Sequence, residues 1–119
     1  NILSDYKSEL KTVLIHCFTG DDIYAEKFIN LGCYFSITGI ITFKNAEKLR
    51  ETIKKLPKNK IFFETDAPYL TPVPMRGEIN KPSLLKHIVE YYSELTEEDF
   101  DDIAHISSKN YERFISCQP

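Results

Sequence analysis

The sequence predicts an α/β fold built on parallel strands, and three observations predict it. Short apolar runs rich in β-branched or aromatic residues at 12–15, 33–37 and 60–65 read as strands. Each is followed by a segment whose apolar residues recur at helical spacing. Residues able to do chemistry stand just past two of the strands, His16 after the first and Glu64 and Asp66 at the end of the third. Alternating strands and amphipathic helices imply parallel βαβ units. Three such units do not close an eight-stranded barrel, and an open three-stranded parallel sheet leaves edges and one face bare. The expectation is therefore that the 119 residues are part of a larger fold.

In chain order, residues 2–10 read as the end of a helix, with Lys7 and Lys11 suited to its C-terminal charge. The first strand runs into His16-Cys17-Phe18-Thr19-Gly20. Thr19 or Asp21 then caps a helix whose first turn suits Asp21 and Asp22. Tyr24, Phe28 and Leu31 give that helix an apolar stripe, and Gly32 suits its end. The second strand stops at Thr38-Gly39. Asn45 is a good N-cap for a helix with Ala46, Leu49, Ile53 and Leu56 inward, closed by Pro57. In the third strand, Pro68 stops the ladder two residues after Asp66. A long connection at 71–82 carries Pro72, Pro74, Gly77 and Pro82, and connections of that length are often functional. Pro82 suits the first turn of a helix with Leu85, Ile88, Tyr92 and Leu95 inward. Thr96 reads as the cap of a further helix, and Ser107 or Ser108 as the start of a last one in which Tyr111, Phe114 and Ile115 pack.

Hydrophobic residues make up 42% of the chain and charged residues 28%, the balance of a water-soluble globular domain. A net charge of -3 argues against a general nucleic-acid binder, unless a bound cation supplies the positive field. Cys17, Cys33 and Cys117 are odd in number and lack CxxC spacing, which reads as reduced thiols in a cytoplasmic (or nuclear) compartment. No run is long enough for a membrane span, and the N-terminus lacks signal-peptide regions. It also lacks a starting Met, so the chain is expected to begin partway through a longer protein.

A buried carboxylate must be paired or bound to a metal, and α/β sheets bind ligands at the carboxyl ends of their strands. His16 and Asp66 fall at equivalent places on two strands, and an imidazole with a carboxylate is half of a common metal set. Alone, His16 also reads as a core histidine. Glu64 lies two residues before Asp66, so both point the same way unless a turn swings Asp66 outward. For Glu64 the preferred reading is a buried acid bonded to a neighbouring strand's polar groups. Arg76 is either a phosphate contact or an exposed loop arginine. The lysines between Lys44 and Lys60 read as a solvated face or a phosphate track. Cys17 is poorly placed to act with His16, because neighbours on a strand point apart.

His16-Cys17-Phe18-Thr19-Gly20, Gly39-Ile40-Ile41-Thr42-Phe43-Lys44-Asn45-Ala46, Glu64-Thr65-Asp66-Ala67-Pro68-Tyr69-Leu70 and Pro74-Met75-Arg76-Gly77-Glu78-Ile79-Asn80-Lys81-Pro82 together resemble the TatD family of metal-dependent deoxyribonucleases. Asn110 and Phe114 fit its closing helix. The resemblance implies a partial TIM barrel, strands six to eight with their helices, in the amidohydrolase-like group. Residues 1–119 would be the C-terminal part of the domain. It implies a divalent metal ion (Mg, Mn or Zn) held by His16 and Asp66, with Asp66 also catalytic. DNA would be the substrate, Arg76 a substrate contact, and Glu64, Thr65 and Asn80 supports behind the ligands. The family's first-strand His-x-His pair, fourth-strand glutamate and fifth-strand histidine have no counterpart here. They would come from the missing N-terminal half or from a second copy, and no membrane is implied. Two other readings stand beside this one: an inactive fragment or interaction domain, and a related metal hydrolase acting on an ester or amide. The chain by itself is expected to be inactive, and to be marginally folded or self-associating through a bare sheet face.

Overall fold

The computed structural model describes residues 2–116; Cys117 lies outside the described residues. In order they form α1 (Ile2–Asp5), β1 (Leu14–Ile15), α2 (Asp22–Asn30), β2 (Tyr34–Ile37), α3 (Glu47–Ile53), β3 (Ile61–Phe63), α4 (Leu85–Thr96) and α5 (Phe100–Ser116). The strands make one parallel sheet in the order β1-β2-β3, with Ile15 opposite Phe35 and with Phe35, Ser36 and Ile37 opposite Ile61, Phe62 and Phe63.

This register sorts the side chains by face. Phe35, Ile37, Ile61 and Phe63 share one side and join a core with Ala25 of α2, Ile53 of α3, Ile88 and Tyr92 of α4, and Ile103 of α5. Tyr34, Ser36 and Phe62 share the other. There Tyr34 and Phe62 stack at 5.2 Å between centroids, and Phe114 of α5 sets its edge against them at 5.2 and 5.5 Å. The Lys60 ammonium sits 4.2 Å from the centre of the Tyr34 ring. The expected bare face is therefore covered along β2 and β3, where Tyr34, Ser36 and Phe62 are buried, while β1 stays half-buried.

The cover comes from α5 being one helix rather than two. The Ser108 hydroxyl donates to the Ala104 carbonyl one turn back, so it is satisfied inside the helix and does not break it. The seventeen residues of α5 at about 1.5 Å each reach roughly 25 Å, and the eleven steps from Ile103 in the core to Phe114 on the far face take up roughly 16 Å of that. Thr96 ends α4 instead of capping the next helix: its hydroxyl donates to the Tyr92 carbonyl, and Glu97 turns left-handed. Asp99 provides the cap, accepting from the amides of Asp101 and Asp102.

Other local expectations change for similar reasons. The helix expected over 2–10 is the four-residue α1. Asp21, not Thr19, caps α2, accepting from the Tyr24 amide. Its inward residues are Ala25, Phe28 and Ile29, while Tyr24 is exposed and stacks on Phe28. Ala46 rather than Asn45 occupies the cap of α3. No side chain caps it; Arg50 Nη1 instead reaches back to the carbonyls of Ile41 and Phe43. Among the described residues no helix is long and apolar enough to cross a membrane.

Candidate metal centre at the carboxyl ends of the strands

Because the strands are parallel, the chain leaves β1 and β3 at the same end of the sheet. At the end of β1, the Cys17 amide donates to Ser36 Oγ at 2.9 Å and the Phe18 amide to the Ser36 carbonyl at 3.0 Å. Cys17 takes a left-handed φ of 48°, which turns the chain sharply after His16. At the end of β3, the Glu64 amide donates to the Ile37 carbonyl at 3.0 Å, extending the ladder by one bond. Asp66 follows with a φ of 56°, a conformation that Asp tolerates better than most residues. The turn swings its exposed side chain clear of the sheet.

That turn is built from inside. The Tyr69 amide donates to the Asp66 carbonyl at 2.9 Å, and the Ala67 amide to Thr65 Oγ1 at 3.3 Å. Buried Asn80 donates from Nδ2 to the carbonyls of Thr65 (2.7 Å) and Tyr69 (2.6 Å), tying the far end of the loop to both sides of Asp66. Gly39 makes room for the same loop: a Cβ there would lie 2.2 Å from the Leu70 carbonyl oxygen.

His16 and Glu64 meet across the intervening strand, with Nδ1 and Oε2 2.8 Å apart. The other carboxylate oxygen, Oε1, is buried and has no hydrogen-bond partner among the described residues. Burial pushes the Cys17 thiol pKa up. A hydrogen bond with Thr38 opposes the rise, and the nearby Glu64 and Asp66 charges add to it. Cys17 is thus held as a thiol, unsuited to act as a nucleophile.

Arg76 is tied into its loop, Nη1 donating to the Thr71 carbonyl at 3.0 Å and the guanidinium lying 4.1 Å from the centre of the Phe43 ring. Much of the basic α3 face is paired: Arg50 with Glu47, Lys54 with Glu51, and Lys55 with Asp22. That pairing favours a solvated face over a phosphate track.

The donors present suit part of a divalent metal's shell: an imidazole with one nitrogen left over, an exposed carboxylate, and a buried carboxylate oxygen without a partner. Among the described residues, no three His, Cys, Asp or Glu side chains come together closely enough to hold a metal ion. The His16–Glu64 contact is the feature that reading the sequence left open. Its signal was there: each residue is the first past its strand, after Ile15 and after Phe63. The Thr38–Cys17 contact and the inward clamp of Asn80 had no such signal.

A parallel α/β sheet with an imidazole and carboxylates at its carboxyl ends carries them where barrel folds place their ligand sites. The chain belongs to the TatD related DNase family, whose description matches residues 1–116. It is 46% identical over 110 residues to BU355, an uncharacterized metal-dependent hydrolase of Buchnera aphidicola subsp. Acyrthosiphon pisum (strain APS), covering 92% of this chain and 42% of that protein. It is 40% identical over 112 residues to YabD, an uncharacterized metal-dependent hydrolase of Bacillus subtilis (strain 168), covering 94% of this chain and 44% of that one. The crystal structure of YJJV, a TatD homolog from Escherichia coli K12, superposes with a TM-score of 0.86 at 31% identity, over 95% of this chain and 43% of that one. The fold is accordingly α/β and a partial TIM barrel, and the chain spans less than half the length of these relatives.

Proposed function

We propose that this chain supplies part of the active site of a divalent-metal-dependent hydrolase that cleaves DNA phosphodiester bonds. The observation carrying the proposal is the contact of His16 with Glu64 at the end of the sheet where the chain also turns at Asp66, with the buried Glu64 oxygen lacking a partner among the described residues. In this reading His16 and Asp66 hold the metal ion. When bound, a divalent cation supplies Lewis-acid polarisation of the scissile phosphate and acidifies water. Asp66, exposed and free to turn toward solvent, orients the attacking water and takes up its proton. Arg76 keeps donors beyond the one used on Thr71 and offers them to a phosphate oxygen. Thr65 and Asn80 hold the Asp66 turn in shape. The remaining metal ligands come from outside the chain. An N-terminal portion of the barrel is favoured over a second copy, because the relatives are more than twice as long as the segment they share with it. The free thiols of Cys17 and Cys33 suit a reducing, cytoplasmic setting.

DNA as substrate is supported by the family's description as a DNase, and hydrolysis by the relatives' description as metal-dependent hydrolases. The test uses a protein spanning the relatives' full length, assayed with a DNA oligonucleotide and a panel of esters and amides. Metal-stimulated DNA cleavage that disappears in Asp66→Ala is expected. Turnover of an ester or amide without DNA cleavage would overturn the substrate. The 119-residue chain alone is expected to show no such cleavage, since three ligands do not gather on it. Robust cleavage by it would mean that two copies complete the site.

A further inference from the structure

We infer that Glu64 is the positioning residue for His16: it fixes the imidazole tautomer and aims Nε2 at the divalent cation of the proposed site. The cation half of this inference rests on the hydrolase reading; the tautomer half does not.

His16 needs an external hold. Its side chain is 66% exposed, and it follows a strand of only two residues. Packing does not set its ring torsions. Glu64 is the opposite case. Its side chain is only 23% exposed, and its backbone is pinned to β2 through the Ile37 carbonyl. The more buried partner therefore orients the more exposed one, and not the reverse. The direction of the hydrogen bond follows from the acceptor. A carboxylate has no proton to give, so Nδ1–H donates to Oε2 and the lone pair is left on Nε2. Carboxylates placed behind metal-binding histidines in this way fix orientation and raise the basicity of the imidazole.

Length matters as well as charge. β1 and β3 are separated by β2, and neighbouring strands lie about 4.8 Å apart, so the contact bridges roughly 10 Å of sheet. A carboxylate one methylene shorter withdraws by about 1.5 Å. That takes the 2.8 Å contact well beyond hydrogen-bonding reach. A merely structural tie between two strand ends would not require this tautomer, nor would it change metal affinity.

The experiment reads the tautomer directly. Long-range nitrogen–proton NMR on histidine-labelled chain reports which ring nitrogen of His16 is protonated, with His87 and His105 as internal references. Wild type is expected to carry the proton on Nδ1. Glu64→Gln retains that form, because its carbonyl oxygen still accepts, whereas Glu64→Asp and Glu64→Ala release the ring to a mixture. In the full-length protein, titration with Zn2+ or Mn2+ alone is expected to lose about 10- to 100-fold in affinity for Glu64→Asp and Glu64→Ala. Circular dichroism checks that the variants fold. A wild-type His16 protonated on Nε2 overturns the inference without any variant, as does Glu64→Asp or Glu64→Ala with wild-type tautomer or affinity. A tautomer that follows Glu64 in a full-length protein whose cation binding is indifferent to both His16→Ala and Asp66→Ala rejects the hydrolase reading and the cation half together. It leaves the control of the ring by Glu64 established.

Discussion

The two ends of the sheet are built on different terms. At the amino end of β3, fully buried Asn110 donates from Nδ2 to the carbonyls of Lys58 and Ile61, both at 2.8 Å, and accepts from Arg113 Nη2 at 2.7 Å. Lys58 pairs with Glu98, and Phe114 closes over Tyr34 and Phe62. At the carboxyl end, Cys17 and Asp66 are left-handed and Glu64 Oε1 has no partner among the described residues. Tyr69 and Ile79 stand 71% and 78% exposed beside the Asp66 turn. One end satisfies its polar groups and the other keeps left-handed backbone and a spare carboxylate acceptor, which is how barrel folds divide stability from chemistry.

The largest effect expected from breaking this contrast is at the amino end. Asn110→Ala leaves two carbonyls without their donor and should cost about 3 kcal/mol in urea unfolding. A cost below about 1 kcal/mol would remove the claim that this end carries stability. Between the two ends, Tyr92 packs edge-on against Phe63 at 5.3 Å, and burial pushes its pKa up to about 12. The unfolded chain gives up this proton near pH 10, before the folded one does. The stabilisation is therefore complete below pH 10 and is lost as pH rises toward 12, by about 2 to 3 kcal/mol. Tyr92→Phe should flatten that part of the stability–pH curve; an unchanged slope would show that Tyr92 is not its source.

At the carboxyl end, Gly39→Ala forces a methyl onto the Leu70 carbonyl and should cost about 1 to 3 kcal/mol. It should also weaken cation binding by moving the Asp66 loop; stability loss with wild-type affinity would uncouple Gly39 from the site. The smallest stability effect belongs to His16→Ala. Its exposed ring should leave the unfolding midpoint within about 0.5 kcal/mol of wild type. Cation affinity, measured in the full-length protein, should fall. A large stability loss would place His16 with the structural end and undo the contrast.

What the sequence determined by itself was the alternation of strand and helix, and the place of the chemical residues relative to the strands. Both are local properties: apolar runs mark strands, helical spacing marks the helices, and any residue just past a parallel strand lies at its carboxyl end. His16 and Asp66 could be placed that way with no knowledge of packing. The tertiary structure decided what depends on distant partners. Ser107 and Ser108 look like helix starts, yet α5 runs through them, because its far end has Tyr34 and Phe62 to cover. Asn45 looks like a cap, yet Arg50 of the next turn ties down the preceding carbonyls. Tyr24 and Ala25 are adjacent, and only the position of α2 against the core chose Ala25 to face inward. The His16–Glu64 bond belongs to the same class. It spans 48 residues and an intervening strand: β1 ends opposite Phe35 and β3 opposite Ile37, and the two side chains close that two-residue offset across β2.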